Sequence, residues 1–302
     1  MIFIRDFVIG LRSFWKAFLF IRKHKLYWYA LIPALLMLGI YQLGTTIRTH
    51  HFVSNVKTMN GIVWYLIKLL AEISIAMLLM QFTKYLVVTL LSPLLAYLSQ
   101  KTENIITGNH YPFNRQQFWI DIKRGVKLAI RNMMWQYFFF LVILFFCNLF
   151  WDKPQDSVLF YITYLIGFYY YGFSFLDYVN ERRRLTMDES ILFMRKHRGL
   201  TMAIGLGFSL LILVPVNLSA LYDWHLLTTA PIEVISQFFV HFFLWFCASF
   251  APILASIAAT MAMHDVVDLS ANQFFPTSSP TVKNESTSDF ATDNLEKRHD
   301  FE

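Results

Sequence analysis

Charge is scarce in this chain. Asp, Glu, Lys and Arg make up 15% of its 302 residues, against roughly 25% in an average soluble domain. The apolar fraction is 56% and the aromatic fraction 18%. A soluble fold of this size has no room to hide that much apolar surface, so the composition points to an integral membrane protein. Cysteine is nearly missing too. Cys147 and Cys247 both lie inside apolar runs, where they read as small buried side chains rather than a disulfide or a metal site. There is no phosphate-binding glycine loop, no nucleophile elbow and no pair of metal histidines on a helix. The nine histidines are scattered, and His241 and His264 stand 23 residues apart. Neither an enzymatic role nor a bound cofactor is expected. A cleavable signal is not expected either, because Arg5 and Asp6 interrupt the first apolar residues.

What is abundant is apolar sequence in long runs. They read as Tyr27–Thr46, Gly61–Leu98, Met134–Trp151, Ser157–Tyr178, Met202–Tyr222 and Glu233–Met263. Most approach or exceed the roughly 20 residues that cross a bilayer as a helix. The second would be about 57 Å long as one helix. It therefore either extends beyond the membrane or breaks near Ser92–Pro93, where proline removes a backbone donor. Only residues 152–156 separate the third and fourth runs, which predicts a tight helical hairpin. The fold class expected is all-α, a polytopic helical membrane protein with about six apolar segments.

Three regions follow. Residues 1–25 pattern as an amphipathic helix lying in the membrane interface. Phe7, Leu11, Phe14 and Phe18 fall on one side, with Arg5, Arg12, Lys16 and Lys23 opposite. The competing reading is an ordinary helix packed on a protein core. Residues 26–268 form the helical transmembrane domain. Residues 269–302 are polar, rich in Ser, Thr and Asn, and read as a disordered tail.

Twenty-one of the 26 Lys and Arg residues fall in residues 1–25, 99–133, 179–200 and the tail; only Arg48, Lys57 and Lys153 fall in the alternate connections. That asymmetry predicts both termini in the cytoplasm, in a cytoplasmic or inner membrane. Basic residues interleaved with aromatics sit at the edges of spans, so they anchor to lipid and do not call for nucleic acid.

Arg182, Arg183 and Arg184 follow the fourth apolar run directly. They read first as a topological anchor and second as an anion site. Thr186 and Glu189 beyond them form a capping box that starts a helix presenting Met187, Ile191 and Met194 on one side. That helix is expected to end at Arg195–Arg198 before Gly199. Lys68 and Glu72, four residues apart, can pair on one helix face inside the second run. Each alone would cost roughly 2.5 kcal/mol or more at the bilayer centre. They are a satisfied pair or a polar lining of a permeation route. Pro33, Pro93, Pro215 and Pro252 lie in or beside spans, and kinks there can free backbone carbonyls. Gly205, Gly207 and Ser209 suit close helix packing.

The order of these landmarks resembles the CysZ sulfate-uptake proteins and their relatives named for etoposide-induced protein. The match runs through Ala30–Pro33, Leu91–Leu94, Glu103, Thr107–Gly108, Asp121–Gly125, Arg131–Asn132, Asp177–Tyr178, Leu213–Asn217, Ala251–Pro252 and Ala258–Thr260. The resemblance implies a helical membrane fold in which some segments span and others are hairpins entering partway. It also implies homo-oligomers in the lipid bilayer and flux of sulfate, a small inorganic anion. The family's sulfate site precedes the first span in a Gly-Leu/Ile-Arg-Arg pattern. Here that position reads Lys25-Leu26-Tyr27-Trp28, without the arginine pair. Arg22, Lys23 and Lys25 lie close by and become the candidate anion-binding residues. A lysine offers a point charge and not the planar fork of arginine. The other class of function is a membrane-shaping or assembly protein without flux.

Overall fold

The computed structural model describes residues 2–49, 89–109, 115–151, 153–212, 216, 221 and 231–270. Lys68 and Glu72, most of the Gly61–Leu98 run, Pro215 and the tail beyond Ser270 lie outside the described residues. Among those described, the regular structure is helical throughout. Helix α1 spans Ile2–Lys23, followed by a 3₁₀ turn at Leu26–Ala30 and α2 at Leu31–Thr49. Then come α3 (Ser92–Thr107), α4 (Arg115–Phe150) and α5 (Val158–Arg182). The last three are α6 (Met187–Lys196), α7 (Arg198–Leu211) and α8 (Pro231–Val266).

Among the described residues, three helices are long and apolar enough to cross a membrane: Lys123–Phe150 within α4, all of α5 and all of α8. They match the third, fourth and sixth expected runs. Leu26–Ile40 and Arg198–Leu211 are apolar but shorter. The expected run from Tyr27 opens with a 3₁₀ turn, and that from Met202 has an α7 ending at Leu211. The chain turns at Leu91, and Ser92–Pro93 opens α3, as proline at a first helical position allows. The short link between α4 and α5 is a 3₁₀ turn at Pro154–Asp156, and the Ser157 hydroxyl accepts from the Leu159 amide to cap α5.

Burial within α5 divides along its length. Its first half carries exposed Val158, Leu159, Tyr161, Tyr164 and Leu165. Every residue from Tyr171 to Asn180 is buried, so that half is surrounded on all sides. α7, α4, α8 and α3 supply the surroundings. The same division recurs in α8, exposed around Ile232–Phe246 and buried at most positions from Ala248 to Met263. Small residues at Ala251, Ala255, Ser256, Ala258, Ala259 and Ala262 bring α8 close to α3 and α1.

Helix α1 is built into this core by its smallest residues. Asp6, Gly10, Ser13, Ala17, Phe20 and Ile21 are buried against α7 and α8. Ile4, Val8, Leu11, Trp15 and Phe18 point outward beside exposed Arg12 and Lys16. The apolar side read from the sequence therefore faces away from the protein at Leu11 and Phe18, while Phe14 covers Gly207.

Gly199 does not end α6. It sits in the first turn of α7, buried under α1, where an added Cβ would lie 2.1 Å from the Phe3 carbonyl oxygen. Close backbone contact with α1, not a left-handed cap, is what requires glycine there. The expected cap is present at the other end of α6, where Thr186 and Glu189 form a complete capping box.

The tightest contact joins α5 to α7. A Cβ on Gly172 would meet the Thr201 carbonyl oxygen at 1.8 Å, and one on Gly205 would meet the Phe168 carbonyl oxygen at 1.7 Å. No side-chain adjustment relieves a clash with backbone, so the helices must part. Gly205→Ala is expected to destabilise the detergent-solubilised protein by about 1–3 kcal/mol or more, the usual range for overpacking. Gly39→Ala has open space around it and should gain roughly 0.5–1 kcal/mol from helix propensity. Thermal unfolding monitored by circular dichroism separates the two; equal melting temperatures would mean the α5–α7 contact is looser than described.

Candidate functional site

The arginine triplet at the end of α5 divides into three environments. Arg182 turns inward. Its guanidinium lies 2.7 Å from the Glu103 carboxylate of α3, and both side chains are nearly buried. It also donates to the Ser99 hydroxyl at 2.9 Å and the Tyr178 carbonyl at 3.1 Å. Arg183 lies over the Phe193 ring, 5.1 Å from its centroid, and donates to the Asn180 side-chain oxygen at 3.1 Å. Arg184 is exposed, with φ of 57° in the left-handed region, and turns the chain out of α5. Beyond it the Thr186 amide and hydroxyl hold the Glu189 carboxyl below the ordinary value. A lowered folded value means that this cap contributes at neutral pH and is lost as pH falls through the folded value.

Hydrogen bonds extend from Arg182 into α8. Ser99 and Thr260 hydroxyls meet at 2.7 Å, Thr260 donates to the Ser256 carbonyl at 3.0 Å, and Ser256 donates to the Leu95 carbonyl at 2.9 Å. One turn up α5, Asp177 accepts from Arg124 of α4 at 3.1 Å and from the Ser190 hydroxyl of α6 at 2.5 Å. Arg124 also donates to the Leu185 carbonyl, and Asn180 donates to Ser190 at 3.0 Å. Two buried ion pairs and their hydrogen bonds thus join α3, α4, α5, α6 and α8 around the inner end of α5. A cavity of about 20 Å³ lies beside them, lined by Ser92, Ser174, Asp177, Tyr178 and Glu181 among others. That is room for about one water molecule, so a sulfate-sized anion does not fit there in this conformation.

The first-choice candidates occupy a different place. Arg22 and Lys23 form the exposed last turn of α1, and Lys25 is exposed with φ of 56°. Basic residues at a helix C-terminus offset its negative dipole, which consumes part of their field. Lys25 stands where the chain leaves α1 for the 3₁₀ turn. Tyr29 in that turn receives a hydrogen bond from Lys101 at 3.2 Å, and the Lys101 ammonium lies 5.2 Å from the Tyr29 ring. Hydrogen bonding to Tyr29 raises the Lys101 pKa from its ordinary value, so the ammonium stays charged. Lys101 is a cation that sequence spacing did not bring to this turn. Glu103, Asp177 and Arg124 were also missed as site residues, although all three stood among the family landmarks. Among the described residues, no group of three or more His, Cys, Asp or Glu is placed to hold a metal ion.

Breaking one side of a buried pair typically costs about 3–5 kcal/mol, whereas replacing both members by apolar residues is often close to neutral. Arg182→Met alone and Glu103→Leu alone should each lower the melting temperature markedly, and the double variant should recover most of the loss. A double variant as unstable as the sum of the singles would show that the two groups act independently.

No curated protein and no solved structure was found to match the chain. The sequence profile of the sulfate transporter CysZ/etoposide-induced protein 2.4 family matches residues 13–221, more than half of the chain. That stretch holds Glu103, Arg124, Asp177 and Arg182, the residues of the two ion pairs on α5, and the chain belongs to this family of helical membrane proteins.

Proposed function

We propose that the protein lets a small inorganic anion such as sulfate pass through a cytoplasmic or inner membrane. Family membership supports a CysZ-like role. The single observation that carries the anion reading is the group of exposed cations where α1 meets the 3₁₀ turn: Arg22, Lys23 and Lys25, with Lys101 held nearby through Tyr29. Arg182 is unsuited to first contact, because Glu103 already neutralises it inside the bundle. Arg183 and Arg184 remain secondary contacts. In this reading the protein performs no covalent chemistry, works as a homo-oligomer and keeps both termini in the cytoplasm.

A second reading has its own support in α1. The outward apolar sector of Ile4, Val8, Leu11, Trp15 and Phe18, bordered by Arg12 and Lys16, suits a helix resting in the headgroup region. Such a helix can shape or recruit membrane without flux.

Radiolabelled sulfate uptake into proteoliposomes, with chloride and phosphate as competitors, distinguishes the readings. Saturable uptake is expected. Arg22→Gln/Lys23→Gln/Lys25→Gln should lower it by about tenfold or more, the factor that 1.4 kcal/mol represents, with insertion into the vesicles unchanged. Vesicle remodelling without uptake would favour the second reading, and unchanged flux in the variant would remove these three residues.

A further inference from the structure

The basic end of α4 has an unclaimed surface. Trp119, Lys123, Val126, Lys127 and Ile130 line an open groove of about 420 Å³ on one side of the helix. Lys123 and Lys127 are exposed, and neither forms an ion pair among the described residues. Lys123 is also the first residue of the membrane-crossing stretch of α4. From the groove the same helix face continues through Met134, Phe138 and Leu141, at spacings of three and four residues. Ile130, Met134, Phe138 and Leu141 are all exposed, each by at least 45%.

We propose that this groove binds an anionic phospholipid, with its phosphate between Lys123 and Lys127 and an acyl chain along Ile130, Met134, Phe138 and Leu141. Charge complementarity sets the headgroup, since two ammonium groups with no ion pair among the described residues stand where the helix leaves the hydrocarbon. Length sets the chain. Ile130 to Leu141 covers about 16 Å along the axis at 1.5 Å per residue, close to the roughly 15 Å depth of one leaflet. Trp119 beside the lysines occupies the headgroup level that tryptophan favours. A water-soluble anion would use the lysines but not the apolar track, so the track selects lipid. The site is separate from the α1–α2 turn and stands whether or not the protein carries sulfate.

The test uses full-length protein in detergent, titrated with phosphatidylglycerol or phosphatidylcholine and read by native mass spectrometry. The wild type should retain phosphatidylglycerol in preference. Lys123→Gln/Lys127→Gln should lose that preference by about fivefold per lysine, the usual contribution of a basic residue at an anionic surface. Arg195→Gln/Lys196→Gln removes the same charge from exposed positions on α6 and should keep it. Trp119→Ala, which leaves both charges, should weaken retention of both lipids. Equal losses in the α4 and α6 variants would overturn the site in favour of general charge. Displacement of the lipid by glycerol phosphate at equal concentration would overturn the lipid in favour of a soluble anion.

Discussion

The ion pair between Arg182 and Glu103, with the hydrogen bonds around it, ties α3, α5 and α8 together at the core of the described bundle. Taking two charges out of water is costly, and their mutual attraction offsets this only when every remaining donor and acceptor is satisfied. Ser99, the Tyr178 carbonyl and then Thr260 and Ser256 provide those partners. The bonds only form if α3, α5 and α8 lie at one depth and one rotation. Arg124 and Asp177 apply the same constraint to α4 and α6. The Gly172–Gly205 contact then sets how closely α7 can approach. Polar groups fix the register here, and small residues fix the distance.

Around that junction the molecule is organised by contrast. The inner ends of α5 and α8 are packed, while their other halves and much of α4 expose Phe, Tyr, Trp and Leu. In water such a surface would be an aggregation site, whereas in a bilayer it costs little because lipid tails are equally apolar. The charges divide in the same way. Arg182, Glu103, Arg124 and Asp177 are largely buried and paired. Those at Arg22, Lys23, Lys25, Lys123 and Lys127 remain exposed, free to meet an anion in solution or at the membrane surface.

Much of this was legible in the sequence because apolar length and basic residues at span edges survive without tertiary detail. The short link between α4 and α5, a break at Ser92–Pro93 as one of two alternatives, the capping box at Thr186 and the close approach at Gly205 were readable for local reasons. The Arg182–Glu103 pair was not, since 79 residues separate its members and three consecutive arginines look alike in a sequence. Gly199 misled because a glycine after basic residues has the form of a helix end, while its true cause is the Phe3 backbone arriving from α1. The face of α1 that meets protein was hidden by its own composition. Asp6, Gly10, Ser13 and Ala17 carry too little hydrophobicity to register, yet they are the residues that let α1 approach.

The proposed function implies a division of labour, in which buried charges hold the fold and exposed charges meet the anion. Isothermal titration of sulfate into the purified Arg182→Met/Glu103→Leu protein, beside the wild type, tests it directly. Unchanged affinity is expected, because neither side chain is offered to solvent. Loss of binding in a variant that still melts cooperatively would place the anion at the buried pair and contradict the division.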